Sequence, residues 1–163
     1  MIINVEELPK IREKYKDKKI IFCSGSFDLT HVGHAIFFEN CKKYGDILVV
    51  SVGDDRIIRF LKGKERPILD EATRLKMVDS LKPVDFCFLD RYTLENDLHS
   101  MFKLVFEKLK PDVYIINNDV SDIPLRKKLT EGHGVQFIVL DRKDKTGFEE
   151  LSSTGIFKKI KED

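Results

Sequence analysis

The chain has 163 residues, of which 42% are hydrophobic and 35% are charged, and its formal net charge is +1 at pH 7. This length and composition are typical of one compact globular domain, so we expect a single domain over residues 1–163. The near-neutral charge argues against a general nucleic-acid surface and against a surface for anionic membranes. No run approaches the roughly 20 apolar residues that span a bilayer.

The three cysteines are odd in number, and each lies within an apolar or helical run: Cys23, Cys41 and Cys87. This usage favours reduced thiols over a disulfide framework, and no cysteine spacing typical of a metal site is present. The N-terminus lacks a basic segment followed by a long apolar stretch. We therefore expect a cytoplasmic protein.

Short apolar runs alternate with amphipathic stretches along the chain. This order predicts a parallel sheet with crossover helices, in a doubly wound α/β fold with five strands and helices on both faces. The predicted strands cover residues 19–24, 46–52, 84–90, 112–117 and 135–140. The predicted helices cover residues 5–15, 31–44, 54–61, 70–81, 95–109, 122–131 and 153–161. The first of these helices lies in an N-terminal helical extension, residues 1–17.

The segment Gly25–His34 directly follows the first predicted strand. A strand that ends at a glycine and leads into a helix presents free backbone N–H groups to an anion. His31 and His34 are three residues apart, so their imidazoles share one helical face and can reach the same phosphate. Such a pair also occurs at surfaces, in structural metal sites and in protein cores, and the spacing alone leaves these alternatives open.

The same ten residues resemble the signature Gly-x-Phe-Asp-x-x-His-x-Gly-His of the cytidylyltransferase-like nucleotidyltransferase superfamily. Its fixed positions are filled by Gly25, Phe27, Asp28, His31, Gly33 and His34. The resemblance implies a Rossmann-like nucleotidyltransferase domain in which both histidines are catalytic. It also implies that the other residues of the block, with Ser26, bind the nucleotide, and that Asp28 orients a histidine or helps to hold magnesium.

A basic connection, Lys62–Ile68, follows the third predicted helix, and Arg74 lies in the next helix. Charged runs of this kind usually form a solvated surface. The connection nevertheless resembles the Lys-x-x-x-Arg-Pro-Ile segment of heptose-phosphate adenylyltransferase-like members. The resemblance implies that Lys62, Lys64 and Arg74 neutralise the triphosphate, with the two lysines taking part in catalysis.

Hydroxyl side chains precede the last predicted helix at Ser152, Ser153 and Thr154, and Ile156 follows two residues later. Serine and threonine at such a place are commonly helix N-caps. The spacing also resembles the hydroxyl motif of the superfamily, which implies binding of the β- and γ-phosphates. Both interpretations hold together, because the N–H groups that need capping also bind phosphate.

The segment after the fourth predicted strand departs from the superfamily pattern. Members of that superfamily carry a Lys-Gly-Gly-Asp-aromatic or a Gly-Asp-Asp-Trp-like stretch, whereas this chain has Asn117-Asn118-Asp119-Val120. We expect Asn118 and Asp119 to contact the nucleotide, and Asn118 and Val120 to set the preference for nucleotide or acceptor. The loop over residues 142–150 is longer than in relatives, which predicts a lid or a part of the acceptor pocket.

Together the motifs imply direct transfer of a CMP or AMP group from CTP or ATP to a phosphorylated sugar or polyol, with release of pyrophosphate. Magnesium would arrive with the triphosphate. The expected partners are the nucleoside triphosphate and the phosphorylated acceptor, and we expect no binding to nucleic acid or to a membrane. A homodimer is a possible oligomeric state. Two other function classes stay open, a nucleotide-binding regulatory module and an inactive subunit that assembles with a kinase.

His99 and His133 belong to no motif, and we expect them at the surface.

Overall fold

The computed structural model describes residues 1–94, 96–120, 122–141 and 152–162. The strands are β1 (Ile20–Gly25), β2 (Ile47–Gly53), β3 (Phe86–Asp90), β4 (Val113–Asn117) and β5 (Gln136–Leu140). The helices are α1 (Leu8–Lys14), α2 (Val32–Lys42), α3 (Asp55–Lys62), α4 (Glu71–Asp79), α5 (Ser100–Lys108), α6 (Ile123–Glu131) and α7 (Ser153–Glu162). The strand assignments and most of the helix assignments made from the sequence are confirmed to within two residues at each end.

All pairs of strands in the sheet are parallel, and the strand order is β3-β2-β1-β4-β5. β2 and β3 lie on one side of β1, with β3 at the edge of the sheet, and β4 and β5 lie on the other side of β1. The strand order therefore reverses between β1 and β4, which confirms the doubly wound fold. Sheets of this kind form a crevice at that reversal, outside the carboxyl ends of the strands.

Both faces of the sheet are buried, because alternate residues of each strand serve different clusters. In β1, Ile20 and Phe22 pack in a cluster with residues of α1 and α5, on what we term the first face. Ile21 and Cys23 pack in a second cluster with residues of α2 and α4, on the second face. Full burial of an aliphatic or aromatic side chain contributes about 1.5–3 kcal/mol. The central strands are thus firmly held, and so are the residues at their ends.

The N-terminal segment is part of this core and not an addition to it. Ile3 N donates to Cys87 O at 2.9 Å, and Cys87 N donates to Met1 O at 3.0 Å, so the segment pairs with the edge strand β3. Leu8 and Ile11 of α1 are buried in the cluster of the first face. The single helix predicted over residues 5–15 is a short 3-10 helix, Val5–Glu7, followed by α1.

The helix predicted over residues 95–109 begins only at Ser100. Ser100 Oγ accepts from Leu94 N at 3.0 Å and donates to Tyr92 O at 2.6 Å. Asp97 adds a further bond, because its Oδ1 accepts from His99 N at 3.1 Å. These side-chain bonds to the backbone stabilise a turn where the apolar spacing alone predicts helix.

The three cysteines are buried and free, as predicted. None of the helices in the described part of the chain is long and apolar enough to cross a membrane.

Candidate active site

A cleft of about 590 Å³ lies at the carboxyl edge of the sheet, where β1, β2, β3 and β4 end. It brings together ten of the residues predicted for the site: Gly25, Ser26, Phe27, Gly33, His34, Lys62, Asp119, Ser152, Ser153 and Thr154. Six others lie outside its lining: Asp28, His31, Lys64, Arg74, Asn118 and Ile156. The cleft is thus the meeting point of motifs that are far apart in the sequence.

The turn after β1 brings the backbone to the floor of the cleft. Phe27 and Leu29 both have φ of 48°, in the left-handed region that residues other than glycine rarely adopt. The ring of Phe27 is buried, with its centroid 5.0 Å from that of Phe38, and this packing holds the turn. A Cβ on Gly25 would lie 2.9 Å from the Phe27 ring, so the turn requires glycine at this position.

His31 and His34 cap the start of α2 and stack on each other. Nδ1 of His31 accepts from Gly33 N at 3.1 Å, and Nδ1 of His34 accepts from His31 N at 3.4 Å. A neutral imidazole whose Nδ1 accepts a hydrogen bond carries its proton on Nε2. The two ring centroids are 4.0 Å apart, and His34 lines the cleft with His31 stacked against it. These tautomers favour donation to an anion over coordination of a metal through Nε2.

The two predicted catalytic lysines differ in position. Lys62, at the end of α3, lines the cleft, and its Nζ donates to Ser26 Oγ at 2.8 Å. The pKa of Lys62 lies below its ordinary value of 10.5, mainly because the protein removes water from around its ammonium group, and also because Arg66 repels it. Lys64 is exposed and is not part of the cleft, so the structure does not bring it to the predicted catalytic position.

The start of α7 closes one side of the cleft. Ser152 Oγ accepts from Gly155 N at 2.9 Å, which confirms that the hydroxyl motif caps the helix. Ser153 Oγ donates to the backbone carbonyl of Asp28 and so ties α7 to the turn after β1. With Thr154, these residues line the cleft, where the helix N-terminus is suited to an anion.

The carboxylate of Asp28 has a structural environment and not that of a metal ligand. It is fully buried, and it accepts hydrogen bonds from Arg66 Nε at 2.8 Å, Ile68 N at 2.9 Å and Leu69 N at 3.0 Å. Burial alone would raise the pKa of Asp28, but these hydrogen bonds and the charge of Arg66 outweigh burial and lower the pKa. Within the described parts of the chain, no group of three or more His, Cys, Asp or Glu side chains is placed to hold a metal ion.

Arg74 also differs from the sequence-based expectation. Its side chain is fully buried, and its guanidinium donates to Ser26 O at 2.6 Å, Leu69 O at 3.0 Å and Asp55 Oδ1 at 2.8 Å. Each nitrogen of the guanidinium is thus engaged within the protein. The geometry makes Arg74 a support of the Ser26 backbone in place of the predicted contact with the triphosphate.

The segment after β4 contributes to the cleft through Asp119 and Val120. Asn118 points its side chain elsewhere, because its Nδ2 donates to Asp141 Oδ1 at 3.0 Å and its N donates to Leu140 O at 3.0 Å. Asn118 therefore joins the ends of β4 and β5, which is not the contact with the nucleotide predicted for it. The loop over residues 142–150, predicted as a lid or acceptor pocket, lies outside the described residues.

The wall of the cleft beside α5 and α6 carries none of the residues predicted from the sequence. His99, expected at the surface, has a side chain only 14% exposed, and its Nε2 lies 2.9 Å from Asp122 Oδ2. Other residues of this wall that no motif marks include Ser24, Ser51, Asp90, Thr93, Met101, Phe102, Asp122 and Arg126. Two features of the sequence indicate some of these residues. Ser24 and Ser51 are polar residues at the ends of apolar strands, and Asp122 and Arg126 are four residues apart on a helix.

The cytidylyltransferase-like family model matches residues 22–159, which include all the motifs above. The bifunctional protein HldE of Geotalea uraniireducens is 33% identical over 163 residues, which cover 96% of this chain and 32% of that protein. The bifunctional protein HldE of Geobacter metallireducens is 37% identical over 123 residues, 75% of this chain and 24% of that protein. The chain thus spans about a quarter to a third of the length of these curated relatives.

Solved structures show the same architecture. A lipopolysaccharide core biosynthesis protein from Thermoplasma volcanium has 33% sequence identity and a TM-score of 0.59, and the match covers 76% of this chain and 95% of that one. Pantoate-beta-alanine ligase from Francisella tularensis, complexed with beta-gamma ATP and beta-alanine, has a TM-score of 0.63 over 99% of this chain and 77% of that one. The sequence identity to this ligase is 19%, so the similarity shows a shared fold and nothing about function.

Proposed function

The chain belongs to the cytidylyltransferase-like family, and we propose that it transfers a CMP or AMP group from CTP or ATP to a phosphorylated sugar or polyol. The observation that carries the proposal is the meeting of His34, Lys62 and the start of α7 in one cleft. Each is suited to bind a phosphate, and they come from three separate parts of the chain. The lipopolysaccharide core contains sugars, so the relative named for its biosynthesis supports a sugar acceptor.

The reaction needs no nucleophile from the protein. An oxygen of the acceptor phosphate attacks the α-phosphorus of the nucleotide, a new P–O bond forms, and the bond to the β-phosphate oxygen breaks with release of pyrophosphate. Catalysis then rests on bringing two anions together and stabilising the charge on the transferring group. In this scheme the Nε2–H group of His34, which lines the cleft with the ring of His31 stacked against it, donates to the α-phosphoryl oxygens, and Lys62 neutralises the triphosphate. Ser152, Ser153 and the first N–H groups of α7 hold the leaving pyrophosphate.

Magnesium enters this proposal with the nucleotide and not as a resident of the protein. The carboxylate of Asp28, the predicted ligand, already accepts three hydrogen bonds from protein groups. Mg²⁺ is commonly held by substrate phosphates, water and only one or two carboxylates. The residues of the cleft are therefore compatible with a magnesium ion that binds together with the triphosphate. The transfer step proposed above does not depend on that ion.

The proposal is tested by measuring pyrophosphate release from CTP and from ATP with a panel of phosphorylated acceptors, including hexose 1-phosphates and glycerol 3-phosphate. We expect release that requires both a nucleotide and a phosphorylated acceptor, with a nucleotide-linked product identified by mass spectrometry. The unphosphorylated sugars are the matched controls. A nucleotide that raises the melting temperature while no acceptor yields pyrophosphate would instead indicate a binding module without turnover.

A further inference from the structure

One part of the cleft carries none of the sequence motifs and lies across β1 from the histidines. α2, which is capped by His31 and carries His34, packs on the second face of the sheet, whereas α5 packs on the first face. Between α5, α6 and the strand ends on the first face, the cleft has its own set of lining residues. We term this part the distal pocket, and it is lined by Ser24, Ser51, Asp90, Thr93, His99, Met101, Phe102, Asp122 and Arg126.

Arg126 is held rigidly in the distal pocket. Its Nε donates to Asp122 Oδ1 at 2.6 Å, and its Nη1 donates to Tyr114 OH at 2.5 Å. The guanidinium carbon lies 4.6 Å from the centroid of the Phe102 ring. No residue that the structure describes accepts a hydrogen bond from Nη2, which leaves this donor for a ligand. Because the side chain is already fixed, a ligand would bind it with little loss of conformational entropy.

The contacts of Arg126 extend into a network that reaches the central strand. Asp122 Oδ2 lies 2.9 Å from His99 Nε2, and Tyr114 OH lies 3.4 Å from Ser24 Oγ. The network therefore links α6, the turn before α5, β4 and the end of β1. Such a network orients polar groups in a way that a solvated surface cluster does not.

Ser51 supplies an independent observation. It lies opposite Ser24 in the β1–β2 register, and only 1% of its surface is exposed. Its Oγ has no hydrogen-bond partner among the described residues, although it lines the cleft. A buried hydroxyl without a partner lowers stability, and its presence is explained if a ligand supplies the missing hydrogen bond.

The charges of the distal pocket indicate what that ligand carries. Asp90 and Asp122 are two carboxylates, Arg126 is a positive group, and His99 is an imidazole. Even if His99 is counted as a positive charge, the two positive groups only balance the two carboxylates. The pocket therefore offers hydrogen bonds without an excess of positive charge, which suits neutral hydroxyl groups and does not favour a second phosphate or a carboxylate.

We propose that the distal pocket binds the hydroxyl groups of the acceptor, through Nη2 of Arg126 and the hydroxyls of Ser24 and Ser51. The acceptor is then a polyhydroxylated sugar that carries one phosphate, with that phosphate near His34 and Lys62. This inference rests on the proposed nucleotidyl transfer and deepens it. It makes Ser51 and Arg126 residues that determine acceptor specificity.

The test uses the full chain and compares Ser51→Ala, Arg126→Gln and the control Lys127→Gln, which changes an exposed residue of the same helix. Steady-state pyrophosphate release is measured with the best sugar monophosphate, its monodeoxy derivatives and the corresponding bisphosphate. We expect Arg126→Gln to raise the KM for the acceptor about 10- to 100-fold, with the KM for the nucleotide changed less than about 3-fold. We expect Ser51→Ala to reduce the preference for the hydroxylated acceptor over one deoxy derivative by about 10-fold.

A loss of that preference in Ser51→Ala is the decisive readout, because a merely structural role would lower the rates with all acceptors alike. The proposal is overturned if the preference and the acceptor KM stay as in the unchanged protein, or if the bisphosphate is the better acceptor. If no acceptor is turned over, the proposed transfer fails, and calorimetry with the same sugar monophosphates tests the pocket separately. Binding that Arg126→Gln weakens then supports the pocket, and absence of binding to the unchanged protein overturns it.

Discussion

Asp28 and Arg66 form a buried ion pair across 38 residues of sequence, with Arg66 Nε 2.8 Å from Asp28 Oδ2. Both side chains are at most 6% exposed. The pair joins the turn after β1, which leads to the histidines, to the connection after α3, which follows Lys62. The carboxylate of Asp28 thus helps to fix the two phosphate-binding segments relative to each other, together with the bond from Lys62 Nζ to Ser26 Oγ.

We expect Asp28→Asn to lower the free energy of unfolding by roughly 3 kcal/mol, because it leaves the buried Arg66 without its counter-charge. The pKa of Asp28 is lowered in the folded protein, so its stabilising effect is present at neutral pH. That effect is lost as the pH falls through the folded-state pKa, below the ordinary value of 3.8. Urea denaturation at several pH values should show the difference between the two proteins narrowing in acid.

The exposed Asp17→Asn is the control for this experiment. If Asp28 were instead a magnesium ligand, Asp28→Asn would shift the magnesium dependence of turnover and leave the stability nearly unchanged. That result would contradict the structural role.

We expect His34→Asn to lower kcat about 10²- to 10⁴-fold, the range typical for loss of a positioned donor to a developing charge. The melting temperature should change little, because His34 lines the cleft and belongs to neither core cluster, and asparagine is tolerated at helix starts. The exposed His133→Asn is the matched control. Near-normal turnover of His34→Asn would remove His34 from the chemical step.

Lys62 and Lys64 form a matched pair for testing the triphosphate site, because only Lys62 lines the cleft. We expect Lys62→Gln to raise the nucleotide KM about 10-fold or more and Lys64→Gln to change it less than about 3-fold. Equal effects of both substitutions would indicate a diffuse contribution of surface charge.

The lowered pKa of Lys62 also predicts a pH dependence of nucleotide binding. The ammonium form binds the triphosphate, and it is lost as the pH rises through a pKa below the ordinary 10.5. Calorimetric affinity should therefore weaken on the alkaline side, and this dependence should be absent in Lys62→Gln. A dependence that persists in the variant would assign the titration to another group.

The elements of the fold were predictable because each strand of the sheet is an apolar run with a glycine or polar residue near its end. The start of α5 was not, because Ser100 and Asp97 bond to nearby backbone groups and stabilise a turn. The spacing of apolar residues in the sequence does not indicate such side-chain bonds to the backbone. The same limit applies to the N-terminal segment, whose pairing with Cys87 is a contact across the whole sequence.

For the site, the sequence identified the segments that meet but not the role of each side chain. Asp28 and Arg74 match motif positions, yet their partners are Arg66 and Asp55, which only the folded chain brings close. Burial decides whether a charged group is available to a ligand, and burial is a property of the tertiary structure. The pairing of His99 with Asp122 was unpredictable for the same reason.

The unsatisfied hydroxyl of Ser51 predicts an unusual effect on stability. We expect Ser51→Ala to leave the free energy of unfolding unchanged or to raise it by up to about 1 kcal/mol, because it removes a buried polar group that has no partner among the described residues. Ser24→Ala is the comparison, and it should lower stability slightly, because Ser24 Oγ lies 3.4 Å from Tyr114 OH. Urea denaturation of both variants without substrates measures the difference. A loss of 1 kcal/mol or more in Ser51→Ala would mean that the hydroxyl is already satisfied, for example by a bound water, and would weaken the case that it is kept for a ligand.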